Sequence, residues 1–305
     1  MTTASSMTAR IEQAFPALSP QLKRAARYVL DAPDDVALSS LRSVAAHAGV
    51  HPSTLVRLAK ELDYAKYADF REPFRQRLRT HGDRYADRAR NLQARGAKHA
   101  GHQRDDLLQE IVQTGSGNLQ RTFDATSAAE LSELAALLEK ARQIYVVGMR
   151  KCYPVANYLH YACRMFHDNV VLANGVAATI ADDLRDVQSG DVLIAIGFDS
   201  YTQGTVRAAR HALSVGVDVV AITDHPLSPL AHKATQTFIV ANDSPSFFRS
   251  LGSAMALAEA IVAFLVAEGG EAAVERLTRT ERHLEAFGTY WQADEAGERP
   301  EETAS

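Results

Sequence analysis

The chain has 305 residues, of which 46% are hydrophobic and 23% charged, and its formal net charge at pH 7 is −4. This length allows two globular domains with separate cores. Its two cysteines, Cys152 and Cys163, are too few for a disulfide framework and lack the spacing of a zinc site. The N-terminus has no long apolar segment, and the apolar run 254–267 is interrupted by Glu259 and too short to span a bilayer. We therefore expect no membrane partner, no metal and a cytoplasmic location.

The charge is unevenly divided along the chain. Residues 1–104 contain 18 Lys and Arg against 10 Asp and Glu, a net of +8, whereas residues 105–305 contain 15 against 27, a net of −12. This asymmetry indicates that nucleic acid is a partner of the first part only. The predicted division is a helical DNA-binding domain, a basic linker, an α/β ligand-binding and oligomerisation domain, and a disordered acidic tail, at 1–80, 81–104, 105–291 and 292–305.

Helical periodicity predicts two helices near the N-terminus, over 10–15 and 20–30, with Ser19 as the N-cap of the second. The sequence Asp-Ala-Pro-Asp-Asp at 31–35 is expected to end that helix, and another is expected from Ser39. Together with the segment that follows, these helices predict a small bundle.

Residues 41–60, LRSVAAHAGVHPSTLVRLAK, have the pattern of two short helices meeting at a sharp turn, a helix-turn-helix. Gly49 permits the corner. Ala45 lies where the helices would cross, so that a larger side chain would separate them. The other small or apolar residues that would pack the pair together are Val44, Ala48, Val50, Leu55 and Leu58. An ordinary pair of packed helices has a similar pattern, but it gives no reason for the basic charge.

With that inward face assigned, the second helix presents polar side chains where a recognition helix meets base edges in the major groove. The predicted DNA-binding residues are Arg42, His51, Ser53, Thr54, Arg57, Lys60 and Arg71. Of these, we expect Arg57 to contact bases, and Arg42 and Arg71 to contact phosphates.

A further helix is predicted over 67–78, and its arginines are candidates for phosphate contact. The positive charge continues through Arg104 in a stretch with few apolar residues. That composition favours a solvated, flexible connector over 81–104.

After the linker, two amphipathic helices are predicted over 107–123 and 131–138. Short apolar runs then alternate with helical segments; the runs are 143–148, 169–173, 191–198, 217–223 and 237–241. Such alternation predicts an α/β domain with a parallel five-stranded sheet, in which ligands bind beyond the carboxyl ends of the strands. The fold class is therefore a two-domain chain, with a helical bundle followed by this sheet.

Two loops at those strand ends form the candidate ligand site, because each leads into a helix N-terminus. The loop after the first strand offers the positive charges of Arg150 and Lys151. The loop after the third strand offers the hydroxyls of Ser200, Thr202 and Thr205. A purely structural alternative is that Ser200 and Thr202 cap the helix.

At this point the chain resembles the RpiR-type bacterial transcription regulators, which join an N-terminal helix-turn-helix domain to a C-terminal sugar isomerase (SIS) domain. The resemblance covers about residues 10–269, and the segments that carry it are 38–71, 146–161, 192–231 and 247–265. It implies a homodimer or homotetramer that binds double-stranded operator DNA. It also implies control by a sugar-derived effector, often phosphorylated, with no cofactor.

The two loops depart from the SIS pattern. Arg150 and Cys152 stand where a glycine and a serine are usual in the first loop. In the second, Gly197 and Asp199 replace the two serines of S-x-S-G-x-T. A carboxylate at a phosphate position repels the ligand unless Arg150 or Lys151 offsets it. We therefore expect Cys152 and Asp199 to belong to the site, and the effector to be less anionic than a typical sugar phosphate, although a phosphorylated ligand held by Arg150 remains an alternative.

Other functional classes remain open. SIS folds also serve isomerases, and this domain contains five histidines, but no motif defines a reaction and no catalytic residue is predicted. A non-specific DNA-organising protein fits the basic N-terminus but leaves the sheet domain unexplained. For the oligomer, apolar positions on 254–266 and 272–291 predict an interface, although packing onto their own domain is an equal alternative.

Overall fold

The computed structural model describes residues 10, 11, 13–79, 84–98, 103–226 and 228–291. The predicted acidic tail, 292–305, and parts of the predicted linker, 81–83 and 99–102, lie outside them. The N-terminal part is helical. A 3₁₀ turn at Phe15–Ala17 precedes α1 (Pro20–Asp31), α2 (Pro33–Leu38), α3 (Leu41–His47), α4 (Pro52–Glu61) and α5 (Tyr67–Arg79).

Helix α2 was not predicted from the sequence. Helix α1 ends at Asp31 as expected, and Ser19 holds its N-cap position without a capping hydrogen bond from its side chain. The chain starts a new helix only two residues later, at Pro33. Proline suits the first position of a helix, because its missing N–H would have no partner there and its φ is already helical. The same residue that stops α1 therefore starts α2.

The helix-turn-helix prediction is confirmed. Val44 and Ala45 of α3 and Leu55 and Leu58 of α4 are fully buried against one another. Gly49 has a positive φ of 62°, which only glycine adopts without strain. Buried Ala45 supplies the small contact between the two helices that the sequence predicts.

The flexible connector predicted over 81–104 is wrong for its central part. Residues Arg84–Lys98 form helix α6. Tyr85 at its start stacks on Phe248, with ring centroids 5.6 Å apart, and meets Phe247 edge-on at 6.2 Å. Both phenylalanines belong to the loop after the last strand. Contact with these aromatic rings gives a helix with few apolar residues a place to pack.

The C-terminal part is an α/β domain with one five-stranded parallel sheet, as predicted. Strand order is β2-β1-β3-β4-β5, and every neighbouring pair is parallel. The elements in chain order are α7 (Gln103–Asp124), α8 (Ala128–Lys140), β1 (Ile144–Val147), α9 (Tyr153–Arg164), β2 (Val170–Leu172), α10 (Ile180–Asp183), β3 (Val192–Gly197), α11 (Gln203–Ser214), β4 (Asp218–Thr223), β5 (Gln236–Ile239), α12 (Gly252–Glu268) and α13 (Gly270–Ala286).

The sheet has an apolar layer on each face. Alternate side chains of β1, β3 and β4 pack on one side against α8, α9 and α12. The remaining side chains of these three strands pack on the opposite side against α11. Because β1 and β3 are neighbours and their following helices lie on opposite faces, the sheet has its topological switch point between the ends of these two strands, where such sheets bind ligands in a crevice. Both loops predicted to hold a ligand lie at this point, and the space between them is the predicted ligand crevice.

Helix α12 is a core element, so for its buried face the structure shows the second of the two alternatives, packing onto its own domain. Leu257, Ile261 and Leu265 are buried against the domain's own helices. On α13, Leu277 packs against the same core, while Phe287 is 79% exposed. Within the described part of the chain, no single helix is long and apolar enough to cross a membrane; only α12 and α13 taken together meet that length and composition, and they are bent by 113°.

Candidate functional site

The helix-turn-helix presents one polar surface to solvent. Ser40 caps α3 by accepting the N–H of Ser43 at 3.2 Å. Helix α4 begins directly after the Gly49 corner. Its outward residues Ser53, Arg57 and Lys60 are exposed, as predicted from the sequence. Thr54 is half-buried, and Arg42 on α3 is exposed. These side chains have the accessibility that contact with a DNA groove requires.

His51 has a structural task besides its predicted contact with DNA. It is the N-cap of α4, and its Nδ1 accepts the N–H of Ser53 at 3.3 Å and lies 2.8 Å from the Ser53 hydroxyl. The ring therefore fixes the start of the outward helix. Pro52 at the first helical position leaves one N–H fewer to satisfy there.

Arg71 has a structural role that the sequence did not predict, besides its predicted phosphate contact. Its Nε donates to the carbonyl oxygen of Val36 and its Nη2 to that of Ala37, both at 2.9 Å. These carbonyls belong to the last turn of α2, where helical partners are lacking. The half-buried guanidinium therefore ties α5 to the end of α2. The sequence did not predict this role because α2 was missed, and without that helix Arg71 had no visible acceptor.

In the α/β domain, the two predicted loops contact each other. The Lys151 ammonium donates to the carbonyl oxygen of Asp199. Cys152 is buried, and its thiol accepts a hydrogen bond from the backbone of Phe198. Burial raises the pKa of Cys152 to about 11, against the opposite effects of that hydrogen bond and of Lys151. The thiol therefore stays neutral and serves as a packing and hydrogen-bonding group.

A second carboxylate, Asp224, joins this site from the end of β4. Its Oδ2 accepts the N–H of Asp199 at 2.9 Å, and its Oδ1 accepts the Tyr201 hydroxyl at 2.8 Å. Burial, followed by the charge of Asp224 and this hydrogen bond, raises the pKa of Tyr201. Sequence reasoning missed Asp224 and Tyr201. The available signal was that Asp-His directly follows β4, the strand next to β3.

The charged groups of the site are partly withdrawn from water. Burial lowers the pKa of Lys151, and nearby Cys152, Asp199 and Asp224 act in the opposite direction. Burial likewise lowers the pKa of His225, against the effect of the same two carboxylates. Lys151 is therefore a cation that accompanies the carboxylates, and the charge of Arg249 also acts on it. Arg150 is exposed, and its guanidinium has no hydrogen bond or ion pair with the residues that the structure describes.

Met149 covers the first turn of α11. A Cβ at Gly204 would collide with the Met149 sulfur, and one at Gly175 would lie 3.0 Å from its methyl group. Thr202 occupies the N-cap position, but its side chain makes no capping bond, so the capping alternative is not observed for this residue. Thr205 is buried and Ser200 is exposed. The thioether thus lies where an anion would approach this helix.

Among the described residues, no group of His, Cys, Asp and Glu is arranged to hold a metal ion. The predicted residues that the structure brings together are Lys151, Cys152 and Asp199. Arg150 and Ser200 lie at the outer edge of the loops. The candidate site is therefore a small polar cluster with two carboxylates and one ammonium group, beside a methionine that packs over the helix start.

Comparison with known proteins places both parts of the chain. The model described as helix-turn-helix domain, rpiR family, matches residues 5–81, and the SIS domain model matches residues 137–264. The HTH-type transcriptional regulator YfhH of Escherichia coli (strain K12) is 24% identical over 91% of this chain and 96% of its own length. HexR, an HTH-type transcriptional regulator of the same strain, is 23% identical over 75% of each chain.

Two solved structures share the fold. The sugar isomerase domain of an RpiR transcription factor from Sphaerobacter thermophilus has a TM-score of 0.55 and 22% identity, covering 58% of this chain and 98% of that one. The Vibrio vulnificus NanR protein complexed with ManNAc-6P has a TM-score of 0.52 and 21% identity, covering 92% of this chain and 98% of that one. With its rpiR-family helix-turn-helix, its SIS domain and a regulator that matches it over 91% of its length, the chain belongs to the RpiR-type transcriptional regulators.

Proposed function

We propose that this regulator binds a palindromic operator through α4 as a homodimer or homotetramer, and that a sugar-derived small molecule in the crevice between β1 and β3 alters that binding. The observation that carries the DNA part is the exposed row of Ser53, Arg57 and Lys60 on a helix held by a tight glycine corner. Two such helices related by a twofold axis would read half-sites about one helical turn, or a multiple of it, apart.

The DNA proposal is tested by selecting bound fragments from the source genome with purified protein. A recurrent palindrome is expected. Arg57→Ala should then reduce discrimination between the selected site and random DNA, because a base contact carries sequence information. Arg42→Ala is the matched control, since an exposed arginine that contacts phosphate should weaken both DNAs about equally. Equal losses on both DNAs for Arg57→Ala would contradict its role in base reading.

For the effector, we propose a ligand that is less anionic than a sugar phosphate, with hydroxyl groups that donate to carboxylates. Asp199 and Asp224 place two carboxylates in the crevice, and the neighbouring ammonium of Lys151 already donates to the Asp199 carbonyl. A phosphate at the start of α11 would face this negative charge and would have to displace Met149. A hydroxyl-rich neutral or cationic ligand meets neither obstacle.

This ligand class is tested by calorimetry with sugars and polyols, each paired with its phosphate ester. The neutral member of a pair should bind more tightly, and Asp199→Ala should abolish that binding. Arg150→Ala is the control, because the exposed Arg150 side chain should be dispensable. Binding of a phosphate ester that is lost on Arg150→Ala and retained in Asp199→Ala would overturn the proposal in favour of a phosphorylated effector.

We propose that the site binds its ligand without turnover. The relatives of the full chain are named as regulators, and His225, the histidine nearest the carboxylates, is held in a partly buried position with a lowered pKa. Prolonged incubation of any bound sugar with the protein should return it unchanged by NMR. Appearance of an isomer at a rate that depends on protein concentration would contradict this proposal.

A further inference from the structure

Helix α7 carries an apolar stripe that the rest of the described chain leaves partly exposed. Leu108, Val112, Leu119 and Phe123 are 61, 59, 40 and 37% exposed, and Ile111 beside them is 47% exposed. Steps of 4, 7 and 4 residues place the first four on one side of a helix with 3.6 residues per turn. A continuous exposed stripe of large apolar side chains marks an interaction surface.

A neighbouring side of α7, about 90° round the helix from the stripe, is fixed to its own domain. The side-chain amide of Asn118 donates to the Asp243 carbonyl at 2.7 Å, and the Thr122 hydroxyl accepts the N–H of Ala241 at 3.0 Å. Asn118 and Thr122 are both fully buried. Because these bonds set the rotation of the helix, the stripe cannot turn inward, and its cover must come from outside the domain.

The stripe has the same spacing when it is read in either direction. Its centre lies between Gly115 and Ser116, and a Cβ at Gly115 would meet nothing within 4 Å. A second α7 packed antiparallel across a twofold axis at this point would place Leu108 opposite Phe123 and Val112 opposite Leu119. Glycine is a poor helix former, and its position here lets two backbones approach closely.

The polar side chains beside the stripe suit the same partner. An exposed row of uncharged side chains runs along one edge, at Gln109, Gln113, Ser116 and Gln120. Contact between two copies about a twofold axis brings like surfaces together, and charges in that row would repel their own counterparts. Amides and a hydroxyl can instead pair with one another, because each offers both donors and acceptors.

The exposed apolar area of the stripe is also of the order that a dimer interface needs. With roughly 200 Å² for each large side chain, the exposed fractions of the five apolar residues amount to on the order of 500 Å² per copy, against about 800 Å² per partner in a stable interface. The neighbouring uncharged row can supply much of the remainder.

We propose that α7 is the dimer interface of this protein, formed by two antiparallel copies that cross near Gly115. The inference gives the proposed oligomer its surface and is independent of the ligand and the operator.

The first test is sedimentation of the full chain without DNA or ligand. The wild type should be a dimer, and Val112→Glu should raise the dimer dissociation constant at least 100-fold. Val274→Glu is the matched control, because Val274 is also an exposed helical valine, on α13, the other predicted interface. Thermal unfolding should be alike for both variants. A monomeric wild type, or dissociation by Val274→Glu but not by Val112→Glu, would overturn the proposal.

The second test locates the axis. The native cysteines are buried, so an introduced cysteine on α7 is the reactive one. Gly115→Cys should form a disulfide-linked dimer under mild oxidation, since only a residue at the axis lies within disulfide distance of its own copy. Leu108→Cys should not, because antiparallel packing places its copies about 22 Å apart. Equal cross-linking of the two variants would overturn the antiparallel arrangement.

Discussion

Replacing Arg71 distinguishes a structural role from a DNA contact. In the folded protein its guanidinium donates two hydrogen bonds of 2.9 Å to the last carbonyls of α2, those of Val36 and Ala37. A hydrogen bond from a charged donor contributes about 1.5–3 kcal/mol when buried. Because Arg71 is only half-buried, we expect the loss of both hydrogen bonds in Arg71→Ala to destabilise the helix-turn-helix domain by about 2 kcal/mol in total. For a domain of this size, that corresponds to a fall in Tm of roughly 8–16 °C.

The measurement is scanning calorimetry of the full chain, with hydrogen exchange of residues 33–38 identifying the transition of the helical domain. The only tryptophan is Trp291, so tryptophan fluorescence does not report on this domain. Arg75→Ala is the matched control, since its Nε reaches the Ala37 carbonyl only at 3.5 Å and its side chain is exposed. That variant should stay within about 0.5 kcal/mol of the wild type.

Arg71→Lys separates the two roles further. Lysine keeps the positive charge that a phosphate contact needs, but it lacks the planar fork that reaches two carbonyls at once. The structural role predicts a destabilised Arg71→Lys variant. Unchanged melting of Arg71→Ala, with a uniform loss of DNA affinity that Arg71→Lys restores, would refute the structural role and support the phosphate contact alone.

Three further outcomes follow from local geometry. Gly49→Ala should lower the stability of the helical domain by about 1–2 kcal/mol in urea unfolding. The cost comes from the backbone φ of +62°, since a Cβ there would meet its nearest atom at an unstrained 3.5 Å. A loss below about 0.3 kcal/mol would contradict this. Burial alone would raise the pKa of Asp35, but hydrogen bonds from Ser39 and Tyr28 and contact with His47 lower it to about 2. Its stabilising effect should therefore be complete above about pH 5 and be lost as pH falls from about 4 to 2, so the stability gap between wild type and Asp35→Asn should close over that range. Gly204→Ala should lower the unfolding free energy of the α/β domain by about 1–3 kcal/mol, because the new methyl group overpacks against Met149. Met149→Ala should relieve that cost in the double variant. Additive losses of stability in the double variant would contradict the contact.

Much of the fold was predictable because its signals are local. The five apolar runs became the five strands within one or two residues at each end, since buried strands of a parallel sheet are continuously apolar. The corner at Gly49 and the small contact at Ala45 likewise follow from residue size and backbone freedom. Helix α2 was missed because Pro33 was interpreted only as a helix stop.

The site was harder to predict because its geometry depends on pairings between distant segments. Arg150 and Lys151 are neighbours with like charge, yet only Lys151 points its ammonium toward the Asp199 loop. Asp224 lies 25 residues after Asp199 and enters the site only because β3 and β4 are adjacent in the sheet. Periodicity locates the strand ends but does not fix the direction of a side chain in a loop.

The contact between the two domains gives a physical route from ligand to DNA. Arg27 on α1 lies 2.6 Å from Nδ1 of His232, which follows β4, the strand that ends at Asp224. Burial raises the pKa of half-buried Asp31, against the charges of Arg210 on α11 and of Arg27. One end of α1 thus meets segments that also lead to the ligand crevice. A ligand changes DNA binding only if it prefers one of two arrangements of this contact. The rigid helix-turn-helix, packed on α1, would then move as a unit.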